Sequence, residues 1–498
     1  MNYSEKKSLV ISFALFILVI GSYFFKYNSQ IYDKDIIAEV IFGVAFGSVL
    51  LQVVFSNFAH RDLKKEVDQL RLMQERDWLT GCLSRNKFKK ECEKILEKNK
   101  DQTYAMIIFD IDKFKAINDL HGHQTGDKIL YDIAKILEKQ INEDELFSRI
   151  ATDNFNVLIK YQDYLTFSKR IEKMIGEING YSDQWKINIS MGIYLIGEAK
   201  LGICNFSDRA NMAKRSIKDN ALVSYAFYDE SMRLVMIREN EIENKMEAAL
   251  RNEEFELYLQ PKYLFLDEKI IGAEALVRWN DPILGIISPN DFIPLFEKNG
   301  FVKKIDAYMF EKVCKLLHKW KIEMDQLTDM IISVNFSRVH LNNLFLPEEL
   351  FEIASRYKID PQKIEIELTE GTIFDNDIQM IEIMKHLKNI GFHISIDDFG
   401  RAYSSLNTLR NLPADILKLD KAFFSESADD QRGKKIITSM LNMARDLNLV
   451  TVAEGVETKE QVEFLKERGC DIAQGFYYAK PMKVVEFEAF VNKKLKSA

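Results

Sequence analysis

Five carboxylates in the C-terminal half of the chain, Glu274, Glu367, Asp397, Asp398 and Glu454, and one amide, Asn335, stand at or near the ends of short apolar runs. No His or Cys accompanies them, so the set offers hard oxygen ligands. Acids gathered at one place repel unless cations neutralise them. Mg²⁺ or Mn²⁺ suits an all-oxygen set, and the adjacent pair Asp397-Asp398 suits two ions with one carboxylate bridging. Two metals about 4 Å apart are a device for in-line attack on a phosphodiester. Lys418, on a neighbouring run, supplies an ammonium able to orient or deprotonate the attacking water. Arg278 supplies a fork for phosphate. For any one acid the plain reading is a loop cap or a surface ion pair, but that reading does not explain acids at the ends of successive runs.

The runs that must position them are FELYLQ (to Gln260), IIGAEALVRW, IISVNF, KIEIELTE, GFHISIDD, ILKLD, VTVAEGVE and DIAQGFYY (Gln474). Eight strands in about 250 residues, most of them separated by helical pattern, is the arithmetic of a (β/α)8 barrel, whose chemistry sits where strands end. Only a short turn around 266–269 separates the first two runs. It is too short for a crossover, so those two strands are expected to be antiparallel. The expectation is a modified (β/α)8 TIM barrel with one antiparallel strand.

This half of the chain, about Glu241–Val491, closely resembles the EAL family, phosphodiesterases that open cyclic di-GMP to linear pGpG. The resemblance is carried by Glu274-Ala275-Leu276-Val277-Arg278-Trp279, Ser333-Val334-Asn335-Phe336-Ser337, Glu367-Leu368-Thr369-Glu370, Asp397-Asp398-Phe399-Gly400, Lys418-Leu419-Asp420, Ala453-Glu454-Gly455-Val456-Glu457 and Gln474-Gly475-Phe476. It implies that Glu274, Asn335, Glu367, Asp397, Asp398 and Glu454 hold two metal ions. By the same resemblance Lys418 serves the nucleophilic water, Gln474 helps to position it, and Gln260 and Arg278 hold substrate. Glu370 would anchor the loop Asp398–Leu406, which in the family couples dimerisation to the metal site. Within that loop Arg401-Ala402 departs from the commoner Thr-Gly. A non-enzymatic cyclic di-GMP receptor is the alternative; such proteins arise when the metal acids are lost, and here they are intact.

The middle of the chain, about 77–229, alternates strand and helix patterns and reads as an α/β domain. Tyr104–Phe109, Asn156–Ile159 and Lys186–Leu195 are strand candidates, and Lys128–Gln140 and Leu165–Ile178 have helical periodicity. Asp77–Phe88 and Phe109–Leu130 resemble the GGDEF family, diguanylate cyclases that make cyclic di-GMP from two GTP. The resemblance puts Asp110 at the metal-binding aspartate and Asn118 and Asp127 at the guanine contacts. The name-giving motif is replaced by Ala151-Thr152-Asp153-Asn154-Phe155. Two glycines that let backbone pass close to a nucleotide are gone, β-branched Thr152 fills that space, and Asn154 removes a negative charge from a site for Mg²⁺ and polyphosphate. Asp153 keeps one acid. The family's RxxD feedback site reads Asn142-Glu143-Asp144-Glu145, without its arginine. The expectation is a degenerate GGDEF-like domain without cyclase activity, a regulatory or dimerisation module with GTP as a candidate ligand.

The N-terminus holds two apolar runs, about 8–25 and 36–55, each about long enough to span a bilayer as a helix. Lys6 and Lys7 precede the first, and Arg61, Lys64, Lys65 and Arg71 follow the second, a bias that places both ends in the cytoplasm. The rival, a cleaved signal peptide, lacks a small-x-small cleavage site. Gly43 and Gly47 form a GxxxG that lets helices approach closely. The expected organisation is α/β multidomain: a transmembrane hairpin over 1–55, a connector helix over 56–76, the GGDEF-like domain over 77–229, a linker over 230–240 and the barrel over 241–498. It describes a multi-pass protein of the cell membrane, with its catalytic domain in the cytoplasm, that acts as a homodimer. The net charge of −8 argues against a nucleic-acid polymer as partner, and five scattered Cys without a CxxC exclude a disulfide scaffold.

Overall fold

The computed structural model describes residues 75–181, 187–197, 201–218, 220, 223–369, 377–399, 412–424 and 431–497, with scattered helical positions between 19 and 67. Most of the expected membrane hairpin, and more than half of the expected connector helix, lie outside the described residues. Among those described, no helix is long and apolar enough to cross a membrane. The chain divides into two compact units, 1–236 and 237–498.

The first unit is built on a five-stranded sheet. Its elements are α1 (Arg85–Lys98), β1 (Tyr104–Ile111), α2 (Phe114–His121), α3 (His123–Gln140), β2 (Leu146–Ala151), β3 (Asn154–Lys160), α4 (Tyr164–Asn179), β4 (Ile189–Ile196), α5 (Gly202–Ile217) and β5 (Tyr225–Phe227). The order is β2-β3-β1-β4-β5. The central strand β1, YAMIIFDI, is buried along its whole length because both sheet faces are covered. One face packs on Ile129, Ile133 and Leu137 of α3 and on Phe167, Ile171, Met174 and Ile178 of α4, apolar positions at helical spacing. The other face packs on Phe88 and Cys92 of α1 and on Phe206 and Ala210 of α5. α5 lies so close to β4 that a Cβ at Gly192 would stand 1.9 Å from the Ala210 carbonyl oxygen. Helix starts are capped as their sequences demand: Ser84 Oγ accepts from the Lys87 N–H, and the Asp163 carboxylate from the Thr166 N–H.

A 22-residue helix, α6 (Glu230–Arg251), contains the whole of the expected linker and runs on into the second unit. There β6 (Phe255–Leu264) and β7 (Ile270–Asp281) form an antiparallel hairpin, with β8 (Gly285–Ile287) beside β7. Strands β9 (Ile331–Phe336), β10 (Ile364–Thr369), β11 (His393–Phe399), β12 (Ile416–Leu419), β13 (Val450–Ala453) and β14 (Ile472–Ala473) follow in parallel register from β7 onward. β14 closes antiparallel on β6. The barrel is therefore closed by eight strands, of which β6 alone runs against both neighbours, as the short first turn requires. Its outer helices include α7 (Pro289–Asn299), α8 (Val302–Glu323), α9 (Leu346–Arg356), α10 (Asp377–Ile390), α11 (Gln431–Asp446) and α12 (Lys459–Glu467). A last short strand and helix, β15 (Met482–Lys483) and α13 (Val484–Ser497), finish the unit. An aromatic cluster of Phe255, Trp279, Phe292, Phe296 and Phe301 fills one end. The aliphatic core of Ile332, Val334, Ile366, Ile394 and Leu417 lies between strands and helices.

Candidate active site

Side chains alternate along a strand, so residues two apart share a face. On β10 this puts Glu365 and Glu367 on the barrel interior. On β9 it puts Ser333 and Asn335 there, and on β11 Ser395 and Asp397. Register then sets neighbours side by side: Glu367 lies opposite Asn335 and Ser395, and Gln260 opposite Glu274. Backbone bonds extend the ladder past the strand ends, the Glu454 N–H donating to Leu419 O and the Gln474 N–H to Ala453 O.

The ammonium of Lys418, with no exposed side-chain surface, is the hub. Its Nζ lies 2.5 Å from Glu454 Oε1, 2.8 Å from Glu367 Oε2, 3.3 Å from Asp397 Oδ1 and 3.9 Å from Glu274 Oε2. One buried ammonium thus pairs with several buried carboxylates at once. Both oxygens of Glu274 are engaged elsewhere. Asn335 Nδ2 donates to Oε1 at 2.8 Å, and Gln474 Nε2 donates to Oε2 at 2.5 Å and to Gln260 Oε1 at 3.1 Å. Gln260 in turn donates to the Ala479 carbonyl at 3.2 Å.

Burial dominates the protonation of this cluster. It pushes Glu274 up to about 7, with repulsion from Glu367 adding to it. It also drives Glu454 well above the carboxylate range. Glu367 goes the other way: burial opposes its ionisation, but the Lys418 and Lys262 ammoniums overcome that and hold it down at about 2. Lys418 is raised because four carboxylates outweigh its desolvation.

The structure thus gathers Glu274, Asn335, Glu367, Asp397, Glu454, Lys418, Gln474 and Gln260. Asp398 follows at a β-bulge with φ +57°, its N–H donating to Asp397 Oδ1 at 2.8 Å. That left-handed turn separates the directions of the two adjacent acids. Arg278 lies four residues beyond Glu274 on the same strand face, half-buried. It donates to the Val277 carbonyl at 2.8 Å, and its guanidinium is 5.9 Å from the Tyr258 ring centre. Glu370 and most of the loop Asp398–Leu406 lie outside the described residues.

Among the described residues no three acids are grouped tightly enough to close on one metal ion, because they are drawn onto Lys418 instead. The donor chemistry nevertheless fits hard divalent cations. Four carboxylates converge on the one Lys418 ammonium, an all-oxygen donor set with more acid than the chain's own cation there balances.

Two groups escaped sequence reasoning. Lys262 on β6, wholly buried, donates to Glu365 Oε2 at 2.9 Å and to Glu367 Oε1 at 3.1 Å. Glu365 Oε1 has no hydrogen-bond partner. The available signal was the alternation in IEIEL, which puts two acids on one face, together with a lysine inside an otherwise apolar strand.

The first unit presents a different picture. Asp110, at the end of β1, is buried, and Lys214 and Lys218 reach its Oδ2 at 2.7 Å and 3.2 Å. Lys214 also donates to Asn154 Oδ1 at 3.0 Å. The Ala151–Asn154 turn joins β2 to β3, and Thr152 is held at φ +41°. Arg149 donates to the Thr152 carbonyl at 2.8 Å and pairs with Asp77 at 3.1 Å. Asp153 sits in the same turn. Asn118 on α2 lies against Gly126, where a Cβ would come within 2.0 Å of its Oδ1. Asp127 follows that glycine on α3.

Comparison with known proteins agrees with both units. Residues 74–221 match the diguanylate cyclase GGDEF domain family, and residues 243–481 match the EAL domain family. The bifunctional diguanylate cyclase/cyclic di-GMP phosphodiesterase MucR of Pseudomonas aeruginosa is 32% identical over 396 residues, covering 78% of this chain and 57% of that protein. The cyclic di-GMP phosphodiesterase NbdA of the same organism is 29% identical, covering 85% and 54%. The chain spans just over half the length of these relatives. A solved S helix-GGDEF-EAL structure of Vibrio cholerae LapD, bound to c-di-GMP, covers 84% of this chain and 99% of its own at 21% identity and a TM-score of 0.50, a likeness of fold. The chain carries a GGDEF domain followed by an EAL domain.

Proposed function

We propose that the barrel hydrolyses cyclic di-GMP to linear pGpG, using two Mg²⁺ or Mn²⁺ ions. The observation that carries this reading is the convergence of Glu274, Glu367, Asp397 and Glu454 on one buried point, ringed by Asn335, Gln474 and Lys418. Glu274, Asn335, Glu367, Asp397, Asp398 and Glu454 would hold the ions, which when bound supply positive charge to the phosphorane-like transition state. The other roles belong to the chain. Gln474 and Asn335 each take one oxygen of Glu274 and fix its carboxylate plane. Lys418, held as an ammonium by the surrounding carboxylates, is placed to hold and orient the attacking water by donating hydrogen bonds to it. Arg278 and Gln260 hold the substrate, the guanidinium against a phosphate. Water oxygen bonds to phosphorus as one ribose ester oxygen leaves with a proton, which opens the ring.

In the same reading the GGDEF domain makes no cyclic di-GMP and serves as a regulatory or dimerisation module, with GTP its candidate ligand. The apolar N-terminal runs anchor a homodimer in the cell membrane, with both domains in the cytoplasm. What supports an inactive cyclase site is the replacement of its glycines and acid, and the two lysines already seated on Asp110.

The test is incubation of the purified full chain with cyclic di-GMP and Mg²⁺, followed by chromatography. Conversion to pGpG that disappears in Glu274→Ala is expected. Tight binding of cyclic di-GMP without turnover would overturn the reading in favour of a receptor.

A further inference from the structure

Below the catalytic cluster lies a second layer of charge that the proposed mechanism does not use. Lys262 comes from the reversed strand β6, and Glu365 from β10, one pleat below Glu367. Both are almost completely buried, and both lie outside the ligand set assigned above. Lys262 Nζ bridges Glu365 Oε2 at 2.9 Å and Glu367 Oε1 at 3.1 Å. Next to Glu365 on β9 is Ser333, buried and hydrogen-bonded to Glu367.

A buried ammonium 3.1 Å from a metal-binding carboxylate is electrostatically adverse to cation binding: it cancels the charge the ions are to meet, in surroundings where charges are poorly screened. Glu365 removes that difficulty. By pairing with Lys262 it neutralises the ammonium, and Glu367 keeps its own negative charge. Lys262 meanwhile occupies one oxygen of Glu367, Oε1, and leaves Oε2 facing the cluster.

We propose that Glu365 is a positioning residue that sets metal affinity: by balancing Lys262, it leaves the Glu367 carboxylate both oriented and fully charged toward the cations. The inference rests on the metal-dependent reading of the barrel. It concerns a residue two positions before an expected ligand, on the same strand face.

The experiment is calorimetric titration of the purified full chain with Mn²⁺, with turnover measured across Mn²⁺ concentrations. Glu365→Gln keeps the side-chain shape and is expected to weaken Mn²⁺ binding about tenfold or more. Its kcat at saturating Mn²⁺ should stay within about threefold. The double variant Lys262→Met with Glu365→Gln restores the net charge of the layer and is expected to return the Mn²⁺ Kd to within about threefold of the unsubstituted chain. A merely structural role would lower Tm and kcat together without moving the Mn²⁺ Kd, and the second substitution would not rescue it. Unchanged Mn²⁺ affinity in Glu365→Gln, or a double variant as weak as the single, overturns the proposal. Absence of Mn²⁺ binding in the unsubstituted chain overturns the metal reading and this proposal with it.

Discussion

Two sites in this chain solve the same problem, burying acid, with opposite charge balances. In the barrel one ammonium, Lys418, faces four carboxylates. In the GGDEF domain one carboxylate, Asp110, faces two ammoniums, Lys214 and Lys218, beside the neutral Asn154. In the proposed reading the barrel cluster, richer in acid than in ammonium, is the one that takes up cations. At Asp110 of the GGDEF domain the chain's own lysines already pair with the acid. A family resemblance covers both domains, yet the local count of acids and ammoniums differs between them.

The largest effect that would break this comparison comes from Lys418→Ala. Turnover is expected to fall about 10³-fold or more while cyclic di-GMP binding persists. In the metal-free chain the same change leaves buried carboxylates unpaired and should cost about 3–5 kcal/mol, read from urea melts in EDTA. Full activity in this variant would remove the hub from the mechanism.

Next comes pH. Glu274 rises from the ordinary 4.5 to about 7 on folding. The folded state therefore binds more protons than the unfolded one between those values, and metal-free stability falls as pH rises through that window. The size is on the order of 3 kcal/mol for a shift of this extent. Urea melts in EDTA at pH 5 and pH 8 should show this loss, and Glu274→Gln should reduce it, leaving the part due to Glu454, which is raised as well. Added Mn²⁺ should reverse the slope, because ligands must be deprotonated to bind.

In the GGDEF domain the expected result is a negative one. Asn154→Asp restores an acid, but Lys214 and Lys218 remain on Asp110, so incubation with GTP and Mg²⁺ should still yield no cyclic di-GMP. Production of cyclic di-GMP would show that the lysines yield to metal, and the contrast between the sites would collapse. The smallest effect concerns Thr152, a β-branched residue at φ +41°. Thr152→Gly should stabilise the chain by about 0.5–1 kcal/mol in urea melts, since relief of left-handed strain slightly exceeds the added entropy of the unfolded glycine.

Much of this was legible in the residues. The eight barrel strands follow from apolar runs, and the reversal of β6 follows from a turn too short to cross over. The acids of the cluster follow from their place at strand ends. Lys262 and Glu365 did not, because attention to strand ends passes over residues one pleat deeper, and a strand lysine ordinarily faces solvent. The separation of Asp397 from Asp398 depends on a bulge and a positive φ that no residue type there announces. The role of Lys214 as an internal counter-ion was hidden as well: it depends on α5 lying close enough to β4 that only Gly192 fits between them.

The reversal of β6 has one more consequence. In a barrel whose strands all run one way, the polypeptide enters at the floor and its first strand climbs to the mouth. Here Phe255, the first residue of β6, pairs with Trp279 near the end of β7, so the chain enters at the mouth and descends toward Lys262. The last turn of α6 therefore arrives at the mouth end of the barrel, four residues ahead of β6. The helix thus joins the barrel at the end where its strands carry their acids, and the floor is reached only after the whole of β6.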